Sequence, residues 1–394
     1  MTIGVWVNAG SRDEVGEEAG VSHFIEHMFF KGTSSRSATD ISREIDALGG
    51  EMNACTGRET TTFYVKVLDQ HLRPALALLS DLFHHSRLAP KDIEKEKQVI
   101  LEEVRMVQDD PEDLVQDVHT QQALKQHPLG RPILGETSTI QALRQKDLRR
   151  YLDAHYHPQE TIVSVAGNFD AKDLMRLVQK FFGAMTRRPR PTLDRWPPSI
   201  HGGSSVRRKP LGQVHLSLGL KGLPLGDKDR YGIFALNSVL GGSVSSRLFQ
   251  EIREKRGLVY SIYSGASSYS DAGLFTVYAA TRTEEASRVV NLICRELKKL
   301  RDHGVERKEL TRTKDQMKGN VMLSLESTQS RMSKLAKDEL YLGRHTSLDE
   351  TMSEIDRVSS DQVLRLSRDL FDFSLLSVTA LGPVSPQSLQ GAIP

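Results

Sequence analysis

AGVSHFIEHMFFKGT, residues 19–33, has the apolar periodicity of a helix that buries one face. Before it, Ile3, Val5 and Val7 alternate as in a strand, and after it GGEMNACTGRETTTFYVKV (49–67) reads as a strand pair. Two helical stretches come next, HLRPALALLSDLFHH (71–85) and PKDIEKEKQVILEEVRMV (90–107). The same order returns at an offset of about 215 residues, the mark of internal duplication. VHLSLGL (214–220) leads to YGIFALNSVLGGSVSSRLFQEIREK (231–255) and RGLVYSIYSGASSYSDAGLFTVYAA (256–280). The helical patterns EEASRVVNLICRELKKLRDHG (284–304) and RKELTRTKDQMKGNVML (307–323) follow.

Each half also closes alike, with KDLRRYLDAHYHPQETIVSVAGNFDAKDL (146–174) answered by DQVLRLSRDLFDFSLLSVTALGPVSPQSL (361–389). The fold class this predicts is α+β, two homologous domains each built from an antiparallel β-sheet packed with several α-helices. Between the halves, TRRPRPTLDRWPPSIHGGSSVRRKPLG (186–212) joins five prolines to basic residues, glycines and serines, a linker composition. The expected division is 1–186, a linker at 187–212, and 213–394.

Composition narrows the function classes. A 394-residue chain with 38% hydrophobic and 26% charged residues and a net charge of +2 is an ordinary globular protein, and nothing in it favours nucleic acid. Cys55 and Cys294 are too far apart for a disulfide framework or a thiolate metal site. No apolar run reaches the roughly 20 residues that span a bilayer, and no basic-then-apolar leader opens the chain, so the bacterial cytoplasm is the expected compartment.

On a helix, His23, Glu26 and His27 stand at i, i+3 and i+4 and share one face, while Val21, Phe24, Ile25 and Met28 take the other. Histidines so spaced can both offer a ring nitrogen to one Zn²⁺. A catalytic zinc needs a third protein ligand, and Glu96 and Glu103 lie seven residues apart on one stripe of the 90–107 helix, with Val99 and Ile100. Glu103 as ligand and Glu96 as the acid that orients a histidine is the arrangement this favours. The plain alternative for that helix is a surface laced with charge pairs.

H-x-x-E-H is the inverzincin pattern. With it, EKEKQVILEEV (94–104), HPLGRPILG (127–135), YHPQETIVSVAGNFD (156–170) and LGGSVSSRLFQEIREKRGLVYSIYS (240–264) resemble the pitrilysin and mitochondrial processing peptidase family of zinc endopeptidases, over nearly the whole chain. The resemblance implies one zinc per chain held by His23, His27 and Glu103, with Glu26 as general base and Glu96 as supporting acid. It implies that a peptide substrate adds as a strand beside Asn53 and Ala54, and that Arg253 and Tyr260 approach it from the second half. In that half FALNSVLGG (234–242) has no histidine or glutamate, and Asn320 stands where Glu103 would, so it is expected to close the substrate chamber without a metal. A homodimer, or a heterodimer with a zinc-free homologue, is implied as the working form. A further N-terminal strand is expected before Met1. Two rival readings are a scaffold subunit of the same fold and a non-haem iron enzyme using two histidines and one carboxylate.

Overall fold

The computed structural model describes residues 1–185 and 195–389; the part of the expected linker at 187–194 lies outside them. Through the first half run β1 (Thr2–Val7), α1 (Val21–Phe29), α2 (Ala38–Ala47), β2 (Glu51–Thr56), β3 (Thr61–Lys66), α3 (Leu72–His85), α4 (Pro90–Asp109) and α5 (Pro111–Ala123). It ends with α6 (Thr137–Ala142), α7 (Gln145–His155), β4 (Thr161–Ala166) and α8 (Ala171–Phe182). In the second half come β5 (Gly203–Arg208), β6 (Val214–Lys221), α9 (Arg230–Leu240), a π-helical stretch at Phe249–Glu254, β7 (Val259–Ser268), β8 (Gly273–Thr281) and α10 (Ala286–His303). Then follow α11 (Arg307–Ser324), α12 (Thr328–Leu342), α13 (Leu348–Arg357), α14 (Ser360–Leu370) and β9 (Ser377–Gly382).

The duplicated order is visible in the sheets. One has strand order β2-β3-β1-β4, the other β5-β9-β6-β8-β7, so β2-β3-β1-β4 is matched by β7-β8-β6-β9. The pairings are antiparallel except β5 with β9, which is parallel. That strand corrects the linker expectation in part: residues 203–208 carry linker composition, yet their backbone pairs with Ser377–Gly382 along an open sheet edge.

The chain forms two compact units that are not the two sequence halves. Unit 1 comprises 1–106, 131–195 and 323–345; unit 2 comprises 107–130, 196–322 and 346–394. In unit 1, α12 packs on β1 and β4; in unit 2, α5 packs on β6 and β9. Each half therefore lends one helix to the unit built on the other half's sheet. This explains why β1 is buried at every position rather than at alternate ones: helices cover both faces. The core of unit 1 gathers Ile3, Val5, Phe24, Phe29 and Phe63, with the rings of Phe29 and Phe63 stacked 4.7 Å apart. Each such side chain, fully buried, contributes roughly 1.5–3 kcal/mol of transfer free energy. Among the described residues no helix is long and apolar enough to cross a membrane.

Candidate metal centre

The mount of the site is α1. Its start is set by Gly20, with φ 96°, where a Cβ would meet Leu134 O at 2.7 Å. The Glu14 carboxylate, fully buried, accepts hydrogen bonds from Gly20 N (2.7 Å), Ser22 N (2.9 Å) and the Ser22 hydroxyl, and so caps the helix. An acid there also complements the helix dipole. Burial pushes Glu14 up to about 7, against those hydrogen bonds and nearby Arg131. Phe24, Ile25, Met28 and Phe29 enter the core, which turns His23, Glu26 and His27 to the opposite face.

On α4, Glu103 meets both histidines. Its Oε2 lies 3.6 Å from His23 Nε2 and 3.4 Å from His27 Nε2, and the three ligand atoms all fall within 4.8 Å of one another. Donors about 2.0–2.1 Å from one ion at tetrahedral angles are separated by about 3.4 Å. Two of the three edges therefore already match a shared cation, and two imidazoles with one carboxylate are donors suited to zinc.

The remaining nitrogen of His27 is fixed: Nδ1 lies 3.1 Å from Glu96 Oε2, while Glu96 Oε1 pairs with Lys31 Nζ at 2.7 Å. This leaves the Nε2 lone pair of His27 for the ligand position. Burial alone would raise Glu96, but the hydrogen bonds from His27 and Lys31 outweigh it and hold the carboxyl below its ordinary range. Burial would lower His27, and Glu96, Glu103 and Glu26 outweigh it in the other direction. Burial, and then the neighbouring His27, push His23 down to about 3. His23 Nδ1 is buried without a hydrogen-bond partner, which keeps that ring neutral and able to coordinate.

Glu26 is raised above the ordinary glutamate value, chiefly by burial, while Thr56 and His27 pull it down. The Thr56 hydroxyl donates to Glu26 Oε2 from the last position of β2. A carboxylate with an upward-shifted pKa and a fixed orientation is suited to accept a proton and pass it on.

The other expected site residues fall in two places. Asn53 and Ala54 lie on β2, at the edge of the first sheet. Ala54 N–H donates to Asn53 Oδ1 at 2.8 Å. Arg253 and Tyr260 belong to unit 2. There the Arg253 guanidinium lies 5.6 Å from the Tyr260 ring and 4.6 Å from that of Phe249, with Tyr260 77% exposed. At the positions in the second half that correspond to His27 and Glu103, Ser238 is on α9 and Asn320 on α11, and neither is a histidine or a carboxylate.

Three contributors were not singled out in the sequence. Lys31 carried a signal, being four residues beyond His27 at the helix exit. Glu14 did so weakly, as an acid before the helix. Thr56 had none, because it is 30 residues from Glu26 and only the packing of β2 on α1 joins them.

Residues 1–137 match the family described as Insulinase (Peptidase family M16), and residues 142–317 match Peptidase M16 inactive domain. An uncharacterized zinc protease of Bacillus subtilis is 43% identical over 385 residues, covering 97% of this chain and 93% of its own. The crystal structure of a protease from Helicobacter pylori superimposes with a TM-score of 0.90 at 24% identity, covering 97% of this chain and 93% of that one. A chain of Complex III2 from Candida albicans shares the fold at a TM-score of 0.84 and 20% identity, covering 97% and 90%. With its two matched domains in sequence and a relative this similar across nearly its full length, the chain belongs to the M16 family of peptidases.

Proposed function

We propose that this protein is a zinc-dependent endopeptidase that hydrolyses short or unfolded peptides held in extended form within a closed chamber. The observation that carries the reading is that His23, His27 and Glu103 each bring one ligand atom within 4.8 Å of the others, with Glu26 on the same helix face as the histidines. Zinc, when bound there by these three residues, supplies a Lewis acid that acidifies water and polarises a peptide carbonyl. Glu26 takes the proton of the attacking water and delivers it to the departing amine. Thr56 holds the Glu26 carboxylate in place, and Glu96, braced by Lys31, holds the His27 ring.

Edge strand β2 is where an extended peptide would add, taking backbone and side-chain hydrogen bonds from Asn53 and Ala54. Specificity would then rest on backbone shape more than on side chains. The second half takes no metal; it closes the chamber and presents Arg253 and Tyr260 to the substrate. We assign one zinc per chain and a working form of two chains, either a homodimer or a pair with a zinc-free homologue.

A second reading is a scaffold subunit without catalysis, favoured by the likeness in fold to the Complex III2 chain. The experiment is metal analysis of the purified protein together with hydrolysis of a quenched peptide before chelation, after it, and after zinc is restored, in wild type and Glu26→Gln. The proposal expects about one zinc per chain in both proteins, cleavage by wild type alone, and loss and recovery of that cleavage with the metal. A folded protein without zinc or cleavage establishes the scaffold reading. Stoichiometric iron, or full activity in Glu26→Gln, overturns the proposal.

A further inference from the structure

The blank counterpart of the metal centre in unit 2 is not filled in. Buried Phe24, Ile25, Met28 and Phe29 of α1 correspond in order to buried Ala235, Leu236, Val239 and Leu240 of α9. In that register Glu26 becomes Asn237, His27 becomes Ser238 and Lys31 becomes Gly242. Buried Ile93, Glu96 and Ile100 of α4 likewise correspond to buried Leu310, Thr313 and Met317 of α11. Where unit 1 stacks the His27 ring, the Glu96 carboxylate and the Lys31 ammonium, unit 2 thus has two hydroxyl residues and a glycine. These truncations leave a cavity of about 340 Å³, lined by Ser238, Ser243, Ser246, Arg312, Thr313 and Gln316 among others.

We propose that this cavity is a binding site for a small oxyanion of the phosphate class. Its chemistry is the reverse of the metal centre's. The histidines and carboxylates that attract a cation are gone, and the single acid on the wall, Glu309, is held by Arg247 through hydrogen bonds of 3.0 and 2.7 Å. What remains is donor-rich. Ser246 is 2% exposed and its hydroxyl oxygen is buried with no hydrogen-bond partner, an arrangement that is costly unless a ligand accepts the proton. The Ser243 and Ser245 hydroxyls lie 3.2 Å apart, so one of the two O–H groups has its hydrogen to give elsewhere. Arg312, exposed on α11, adds a fixed positive charge with a planar fork of donors. The Ser238 and Thr313 hydroxyls already donate to carbonyls within their own helices and shape the wall instead.

The test uses the zinc-loaded full chain and inorganic phosphate as the probe, with binding followed by calorimetry and by the thermal midpoint. Wild type is expected to bind phosphate saturably and to melt at a higher temperature in its presence. Arg312→Ala should weaken binding at least tenfold, Arg312→Lys less so, and Ser246→Ala at least threefold. Without phosphate, Ser246→Ala should melt no lower than wild type, because it removes an unpaired buried group. Phosphate held instead at the metal centre of unit 1 would be indifferent to Arg312 and Ser246. The proposal is overturned by the absence of saturable binding to wild type, or by equal affinity in wild type, Arg312→Ala and Ser246→Ala.

Discussion

Glu26 depends on a hydroxyl 30 residues away in sequence, and this gives the residue scale its sharpest prediction. Thr56 donates to the ionised carboxylate and so stabilises the form that accepts a proton. Thr56→Val removes that donor, which raises the Glu26 pKa further above its ordinary value. The acidic limb of the kcat/KM profile should move to higher pH, so that the variant loses more activity at pH 6 than at pH 8; a uniform loss at all pH values would refute the assignment. Lys31→Met leaves Glu96 with His27 as its one partner among these contacts and removes the brace on the carboxylate that orients the ring, and zinc affinity should fall about 10- to 100-fold in a chelator competition. Metal affinity should also fall as the medium is acidified, because the raised pKa of His27 sets a proton against the ion at its Nε2. Of these residues, His23, Glu26, His27, Glu96 and Glu103 were legible, since helical spacing places them on facing stripes. Thr56 was not, because strand-to-helix packing leaves no periodic trace.

At the scale of elements, the two lent helices are seated by matching devices. Gly4 in β1 admits Met332 of α12, whose sulfur accepts from Trp6 Nε1 at 3.1 Å; a Cβ on Gly4 would collide with Met332 Sδ and come within 2.9 Å of its Cε. Gly219 in β6 admits His119 of α5, and a Cβ there would collide with His119 Nε2 and stand 2.9 Å from Ser377 Oγ. His119 is wholly buried, is pushed down to about 4 by that burial, and lies 3.1 Å from Thr379 Oγ1 and 3.3 Å from Ser377 Oγ. A neutral imidazole between two hydroxyls has a fixed orientation, whereas a thioether can swing aside. Gly219→Ala should therefore cost about 1–3 kcal/mol in urea unfolding and Gly4→Ala less, the range expected for overpacking. Equal losses would show that the histidine yields as readily as the methionine. Both glycines sit inside strand patterns, where glycine signals close approach, yet which helix approaches could not be read from the strand.

For the whole molecule, the boundary visible in composition and the boundary of compact structure differ. A fragment of residues 1–186 contains β1, β3 and β4 but not α12, so one face of its sheet, including Trp6, Tyr64 and Ile162, would be bare. Expressed alone, that fragment should bind a hydrophobic dye and unfold without a cooperative transition; appending 323–345 through a flexible linker should restore cooperativity. If 1–186 alone unfolds as sharply as its extended form, α12 is dispensable to unit 1. The amino-acid sequence by itself determined the class of fold, the duplication and the five residues of the candidate metal centre, because each is written in periodicity or spacing along one element. It also showed that the segments matching the metal helices in the second half carry no histidine or glutamate at the corresponding positions. Only the tertiary structure decided that α5 and α12 change units, that residues 203–208 pair as a strand, and that Thr56 and Lys31 meet Glu26 and Glu96. The reason is the same in each case: an amphipathic helix, a polar strand or a lone hydroxyl carries in its sequence the need for a partner, while the identity of that partner is settled by which surfaces remain to be covered once the chain has folded.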